Sequence, residues 1–196
     1  MQINESSSAL LNSEGYREPE LKEIVMGLHW DPANDDTKAD CSDLDALCVL
    51  LDHQHRVLKV IHPGATRSSD ESVIHTGDSQ TGASTWDDER IFVFLKMLPE
   101  TVAALTFVVV SPAGRAFNEV RGAFCHISDR ASEDKLFQLK LTDLTGCTAC
   151  NVATLRRTPA GWQIAIDAQP LGPAVLAELA MHAARGKSAG VSRLSR

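Results

Sequence analysis

The chain has 196 residues, of which 43% are hydrophobic and 23% are charged, and its formal net charge is −7. This length supports one domain with a sizeable core, and the composition is typical of an ordinary globular protein. The acidic balance argues against the basic surface that nucleic-acid-binding proteins need, so we expect no nucleic-acid partner.

The N-terminal residues and the cysteines indicate a compartment. The first residues lack a positive region followed by a long apolar stretch, so we expect no signal peptide. No apolar run approaches the roughly 18 residues that a transmembrane segment needs, which leaves only peripheral membrane association open. The five cysteines are an odd number and lack the spacing of a disulfide framework. We therefore expect free thiols in a reducing cytoplasm.

Short apolar runs separated by turns predict a mainly β fold. Residues 1–20 are polar and are expected to form a flexible arm. Residues 104–110 are rich in β-branched and aromatic side chains, which favours a central core strand. The full set of predicted strands is 21–28, 43–52, 56–61, 90–95, 104–110, 122–127, 136–141, 155–158 and 162–168.

Two features near the end of the β region concern the core. Trp162, Ile164 and Ile166 alternate along one predicted strand and are expected to face the core.

Cys147 and Cys150 have a spacing that suggests zinc or redox chemistry, but no second cysteine or histidine pair accompanies them. In an extended segment, residues three apart point to opposite faces, so we expect the two thiols not to converge and to be structural.

The C-terminal residues predict one helix. Residues 172–186 have helical periodicity, with Pro173 suited to the first turn and Gly186 to the C-terminal cap. The leucine and alanine stripe of this helix could cover the β-sandwich. Residues 187–196 are expected to form a disordered basic tail, so the predicted domain spans 21–186.

Two groups of carboxylates precede predicted strands. Residues two apart in a strand face the same side, so the first pair should point together. Carboxylates this close repel one another, and a bound cation is the simplest relief, although a solvated loop is the alternative for the second group alone. Oxygen ligands without Cys or clustered His favour calcium over zinc or copper. The carboxylates are Asp43 and Asp45, then Asp78, Asp87, Asp88 and Glu89.

The two acidic groups could meet at one end of a sandwich. All six carboxylates would then share one rim. Together with backbone carbonyls they would supply the ligands for one or two calcium ions, each of which takes roughly 6–8 oxygens. The loop is not an EF-hand, because Ala83 stands where the sharp-turn glycine belongs and Gln80 and Gly82 stand at ligand positions.

A set of short motifs in fixed order resembles the bacterial tellurium-resistance TerD family, over roughly residues 24–170. The resemblance implies a two-sheet calcium-binding β-sandwich that is induced by stress and has no established catalytic activity. It adds Asp31, Thr81 and the backbone oxygens near Gly77 and Gly82 as further candidate ligands. The motifs are Gly27-Leu-His-Trp-Asp31, Asp43-Leu-Asp-Ala46, His75-Thr-Gly-Asp78, Thr81-Gly82 and Asp87-Asp-Glu89.

The chain departs from the family pattern around the acidic triplet. His29 stands where the family usually has Gly, and Ser79 stands where it has Asn. Ser84, Thr85 and Trp86 replace a glycine-rich approach. Lost glycines matter where the backbone needs a positive φ angle. These changes predict an altered site geometry or the loss of one ion.

We therefore expect a calcium-binding stress-response module for tellurite or other chemical stress, with protein partners in a stress-response assembly. We expect no enzyme, because no nucleophile elbow, P-loop or dinucleotide fingerprint occurs. One alternative is a metal-dependent hydrolase, with His75 as its acid–base residue. The other is a metal-free scaffold whose acidic rim binds a basic partner directly.

Overall fold

The computed structural model describes residues 21–32 and 43–188, with side chains through residue 185. Within these residues the chain forms two five-stranded antiparallel sheets, two short 3-10 helices and one α-helix. The predicted mainly β sandwich with a C-terminal helix is confirmed. The elements are β1 (Glu23–His29), β2 (Asp45–Leu51), β3 (Val57–Ile61), β4 (Val73–His75), β5 (Glu89–Phe94), β6 (Ala104–Val110), β7 (Phe124–Asp129), β8 (Lys135–Lys140), β9 (Ala149–Thr158), β10 (Gly161–Pro170) and α1 (Pro173–Ser188).

The strand order places β1 and β6 at the centres of their sheets. The first sheet has the order β4-β5-β1-β7-β8, and the second has the order β10-β9-β6-β2-β3. The predicted central position of β6 is confirmed. The predicted arm at residues 1–20 and residues 189–196 of the predicted tail lie outside the described residues.

The inner faces of the sheets form the main core. Alternation is clearest in β5, where Glu89, Ile91 and Val93 are buried and the residues between them are less buried. A period of two is expected for a strand with one face on the core. Because the strand begins with an acidic residue in a buried position, this alternation directs Glu89 into the sandwich.

The helix α1 covers part of the outer face of the second sheet, as the sequence predicted. Leu179 is buried in a second, smaller cluster with Leu47, Val49, Val60 and Val108. The helix ends at Ser188, two residues beyond the predicted Gly186. Within the described residues, no helix is both long enough and apolar enough to span a membrane.

The final hairpin differs from the prediction. It forms as expected, but β9 begins at Ala149 and β10 lies at the edge of its sheet. Ile166 is 41% exposed, so its predicted core position is wrong. Trp162 and Ile164 pack against the core as partly buried residues. The register shifts beyond Ile166, and an edge strand has no neighbour to bury its outer half.

The two closely spaced cysteines are both buried in the main core as free thiols, and the expectation that the thiols do not converge stays a prediction. Cys147 precedes β9, and strand alternation therefore does not apply to it. Burial raises the pKa of both thiols, to about 12 for Cys150, where the Cys147 thiol contributes. Buried thiols with raised pKa values are poor nucleophiles, which agrees with a structural role.

Arg157 fastens the turn before β6 to the end of β9. Its Nη2 donates hydrogen bonds to the carbonyls of Leu98 and Pro99, both at 3.0 Å, and its Nε donates to Val102 O at 3.1 Å. The guanidinium also lies 4.7 Å from the centre of the Trp162 ring. These contacts need a planar group with several N–H donors, which the guanidinium of arginine provides.

We expect Arg157→Lys to lower the free energy of unfolding by about 2 kcal/mol, because an ammonium cannot reproduce the three hydrogen bonds or the stacking. For a chain of this size, the melting temperature should fall by roughly 4–8 °C. Thermal unfolding followed by circular dichroism measures this change. The exposed neighbour Arg156 supplies the matched control, Arg156→Lys, and equal melting temperatures for the two variants would contradict the prediction.

Candidate metal centre

Glu89 connects the two sheets through a buried carboxylate. It is the first residue of β5 in the first sheet, and it has no exposed surface. Its Oε2 accepts a hydrogen bond at 2.8 Å from the backbone N–H of Ala46 in β2 of the second sheet. Its Oε1 lies 3.4 Å from the N–H of Ser79, which donates to it. A buried charge is stable only with such partners.

Three aspartates gather beside this carboxylate. Asp43 precedes β2, Asp45 begins it, and Asp78 follows β4 in the chain. One carboxylate oxygen from each lies within 4.8 Å of the others. The predicted pairing of Asp43 with Asp45 and the convergence of Asp78 are therefore confirmed as geometry.

Burial and mutual repulsion raise the pKa values of two aspartates in this cluster. Burial, with the charges of Glu89, Asp43 and Asp78, raises the pKa of Asp45 to about 7, although His75 opposes the shift. Burial, then Asp78 and Glu89, raises the pKa of Asp43. Each shift means that the folded protein disfavours the ionised form while no cation is present.

One oxygen of the cluster lacks a hydrogen bond. Asp43 Oδ1 is buried, and no donor in the described part of the chain reaches it. A buried carboxylate oxygen without a donor is costly, and a cation would satisfy it. Three converging carboxylates, completed by backbone carbonyls and water, fit a hard cation that prefers oxygen. Among the described residues, no cysteine or histidine joins the three aspartates, and an all-oxygen donor set is the kind that calcium prefers and zinc does not.

His75 lies behind the cluster, with both ring nitrogens in use. Its Nδ1 lies 2.9 Å from the N–H of Gly77, and its Nε2 lies 3.0 Å from Ala46 O. Because the Gly77 N–H donates, Nδ1 accepts, and Nε2 carries the proton that it donates to Ala46. Glu89 Oε2 is 3.4 Å from the same Nε2. The His75 ring is therefore buried beside the cluster and is hydrogen-bonded to the backbone at both nitrogens.

Asp88 has a different environment from its neighbour Glu89. Its Oδ2 accepts from the backbone N–H of Trp30 at 3.1 Å and lies 3.0 Å from His29 Nδ1. Its Oδ1 accepts from the N–H of Ser84 at 3.1 Å. The side chain has no exposed surface. Asp88 therefore fastens its own loop to the end of β1.

Asp87 points to the outer face of the first sheet. Its Oδ1 lies 3.0 Å from His126 Nε2, and its Oδ2 lies 2.9 Å from Arg90 Nε. Burial opposes ionisation, but the hydrogen bonds and charges of His126 and Arg90 outweigh it and lower the pKa of Asp87. The six carboxylates thus do not share one rim. Sequence reasoning missed His126, because it comes from a strand distant in sequence and belongs to no motif.

The remaining candidate ligands are spread around these groups. The Asp31 carboxylate lies 3.8 Å from both His29 Nε2 and Arg121 Nη2. Thr81 is exposed. Gly77 and Gly82 have φ angles of 110° and 62°. Their backbone oxygens stay predicted ligands.

The residues that depart from the family pattern take part in the surroundings of Asp88. Trp86 O accepts a hydrogen bond from His29 Nδ1 at 2.8 Å, and the N–H of Ser84 is one of the donors to Asp88. His29, Ser84 and Trp86 therefore each have a hydrogen-bond partner here. The predicted loss of an ion by these substitutions stays a prediction.

The raised pKa of Asp45 predicts a pH dependence. Its carboxyl has an ordinary pKa of 3.8 and a folded pKa of about 7. Between these values the folded chain binds more protons than the unfolded chain, so the contribution of Asp45 to stability falls as pH rises. It is fully present below about pH 4 and is lost by about pH 7. Chelator-treated parent protein should therefore lose more stability between pH 5 and 7.5 than Asp45→Asn does.

Urea unfolding at both pH values measures this difference. Asp143→Asn is the matched control, because Asp143 is an exposed carboxylate outside the cluster, and it should behave like the parent. Calcium should bind more weakly as pH falls through 7, because its ligands must be deprotonated. Identical pH dependence in the parent and Asp45→Asn would contradict the shift.

Two solved structures are similar to this fold. A homologue of telluride resistance protein TerD from Streptomyces coelicolor A3(2) aligns with a TM-score of 0.68, 22% identity and coverage of 80% of this chain and 95% of that one. A crystal structure of a protein of unknown function aligns with a TM-score of 0.71, 22% identity and coverage of 83% and 98%. These likenesses support the same two-sheet architecture.

Comparisons of the amino-acid sequence identify relatives and a matching family model. Tellurium resistance protein TerZ of Serratia marcescens is 34% identical over 175 residues, covering 86% of this chain and 83% of the relative. General stress protein 16U of Bacillus subtilis (strain 168) is 30% identical over 153 residues, covering 74% and 79%. The family model described as the TerD domain matches residues 7–182. The chain therefore belongs to the TerD family.

Proposed function

We propose that this protein is a calcium-binding stress-response module, in which one ion is held by Asp43, Asp45 and Asp78. The observation that carries the proposal is the buried Asp43 Oδ1, which has no hydrogen-bond donor among the described residues. It lies in a cluster whose oxygens approach within 4.8 Å. Calcium would provide the missing partner and neutralise carboxylates whose pKa values are raised.

The proposed stoichiometry is one ion. A second ion would need ligands from Asp31, Asp87 or Asp88, and each of these carboxylates already lies against protein cations or N–H groups. Glu89 already accepts hydrogen bonds from the backbone N–H groups of Ala46 and Ser79. Its proposed role is therefore to add negative charge behind the ion without binding it. Thr81 and the backbone oxygens of Gly77 and Gly82 are available to complete the coordination.

The relatives' names support a stress-related role. One is named a tellurium resistance protein and another a general stress protein. We propose that this chain acts in resistance to tellurite or chemical stress, in the cytoplasm, through protein partners. The metal would hold together strand ends from the two sheets and thereby shape an acidic surface for such a partner.

The acidic cluster is proposed to be non-catalytic. A metal-dependent hydrolase would need a free acid–base group beside a metal-bound water. His75 is poorly suited to that task, because its nitrogens are engaged by Gly77 and Ala46. A metal-free scaffold would leave the three clustered aspartates beside Glu89 without a neutralising cation, which the raised pKa values of Asp43 and Asp45 disfavour.

Calcium should raise the melting temperature of chelator-treated protein. A ligand that binds only the folded state at a hundredfold excess over Kd adds about 2.7 kcal/mol, which corresponds to roughly 5–10 °C here. Magnesium should raise it less, because it demands tighter octahedral geometry. Asp78→Asn should remove most of the calcium effect, and it changes an exposed residue, so the fold should survive.

Differential scanning calorimetry measures the melting temperatures, and titration calorimetry gives the stoichiometry. Asp143→Asn is again the control and should keep the full calcium response. If saturating calcium leaves the parent's melting curve unmoved, and elemental analysis finds no ion retained through purification, the site is not a calcium site.

Asp88→Asn tests whether one ion or two ions bind. The substitution removes a buried charge that accepts hydrogen bonds from Trp30 and Ser84, so the melting temperature without calcium should fall. The calcium-induced rise should nevertheless stay near that of the parent, since Asp88 lies outside the cluster. A parent stoichiometry of two, with one binding event lost in Asp88→Asn, would show that a second ion uses this carboxylate.

A further inference from the structure

A groove of about 920 Å³ lies on the outer face of the first sheet. Its lining includes residues of β1, β5 and β7 and of the loop that precedes β5. None of the three clustered aspartates lines it, and Glu89 faces the opposite side of the sheet. The groove is therefore separate from the candidate metal centre, and the calcium proposal assigns it no role.

A chain of three polar side chains lies in this groove. His126 and Ser128 are two residues apart in β7, so they share a face. His126 Nδ1 lies 2.9 Å from Ser128 Oγ. On the other side of the ring, Nε2 lies 3.0 Å from Asp87 Oδ1, and Arg90 Nε donates to the second oxygen of Asp87 at 2.9 Å. Asp87, His126 and Ser128 all line the groove.

The partners of His126 determine the direction of its hydrogen bonds. The Asp87 carboxylate only accepts, so Nε2 must donate to it. In the neutral ring Nδ1 then accepts, and the hydroxyl of Ser128 is its donor. A hydroxyl bound to a base that a carboxylate orients is the arrangement of a Ser-His-Asp nucleophile, here with the two ring nitrogens exchanged.

A glycine makes room for this arrangement. Gly27 lies in β1 between its register partners Arg90 and His126. A Cβ atom at Gly27 would lie 2.3 Å from His126 Nε2 and 2.6 Å from Asp87 Cγ. Any larger residue at this position would therefore push apart the Asp87–His126 hydrogen bond that orients the imidazole. Because Gly27 has no side chain, the hydrogen-bonded side chains of Asp87 and His126 can lie across β1.

The rest of the groove combines aromatic surface with charged side chains. Phe92, Phe124 and Trp86 provide apolar surface, and Trp86 is 75% exposed. Arg130 and Lys135 line the same groove, and Lys135 is the register partner of Ser128. A cation that reaches the carbonyl oxygen is one means of stabilising the oxyanion that forms in acyl transfer. In this structure Lys135 Nζ contacts Gln138 Oε1 and Arg130 pairs with Glu23, so one of them would have to turn toward a bound ester.

We infer that Ser128 is a nucleophile for acyl transfer from esters with an apolar acyl group, with His126 as its base and Asp87 as the positioning residue. Ser128 Oγ forms a bond to the carbonyl carbon while its proton passes to His126 Nδ1. The bond to the leaving oxygen breaks, and the alcohol leaves with that proton. Water then hydrolyses the acyl-serine with the same base and releases the carboxylic acid. No oxidant or reductant is needed.

The test uses the full chain, a fluorophosphonate probe and p-nitrophenyl butyrate. Mass spectrometry of the labelled parent should locate the phosphonyl group on Ser128. Hydrolysis of the ester should fall to the uncatalysed rate in Ser128→Ala and His126→Ala. Asp87→Asn should slow it by roughly 10²–10⁴-fold, because the ring loses its orienting acceptor.

The control variant is Ser132→Ala, which removes an exposed serine of the β7–β8 loop outside the groove and should retain labelling and turnover. Melting curves of all variants establish that they are folded, and labelling of the unmutated parent does not depend on any variant. An unlabelled Ser128 in the folded parent would overturn the proposal. Labelling of Ser128 that persists in His126→Ala would also overturn it, because the reactivity would then not depend on the base.

Discussion

A buried carboxylate between two sheets is the constraint on which this structure depends. Glu89 has no exposed surface, and it accepts the N–H of Ala46 across the sandwich. Three aspartates converge beside it, where burial, followed by repulsion from the neighbouring carboxylates, raises the pKa of Asp45 to about 7. Burial makes such a group of charges unfavourable unless protons or a cation compensate it. The strand ends that carry these carboxylates are thereby linked electrostatically, and a bound ion would stabilise the fold itself.

The acidic triplet consists of consecutive residues, Asp87, Asp88 and Glu89, but their side chains lie in three different environments. Glu89 points into the sandwich, Asp88 holds the loop against the end of β1 through Trp30, and Asp87 reaches the outer face to contact His126. Side chains alternate in a strand, and the loop before β5 adds a third direction. The consequence is that substitutions of adjacent residues should have unrelated effects. One should alter the negative charge behind the proposed ion, one the stability of the loop, and one the groove.

The sequence predicted the acidic centre in part. The spacing of Asp43 and Asp45 predicted that they point together, and their carboxylate oxygens do converge although Asp43 precedes β2. The apolar character of residues 104–110 likewise predicted a central strand. The Asp87–His126 contact was not predictable, since no motif joins the loop before β5 to β7, and these two strands pair with β1 on opposite sides. The exposure of Ile166 was missed because periodicity cannot distinguish an edge strand from an internal one.

The sequence by itself determined every strand except the short β4, the helix, the TerD-family resemblance and the carboxylates that form a candidate cation site, because these depend on local periodicity and short motifs. Only the tertiary structure decided which carboxylates meet. Pairing of β1 with β5 and β7 set the outer groove, and packing of the two sheets brought Glu89 to Ala46. The physical reason is that a side chain's direction follows from its own strand, whereas its neighbours follow from contacts between strands far apart in the chain.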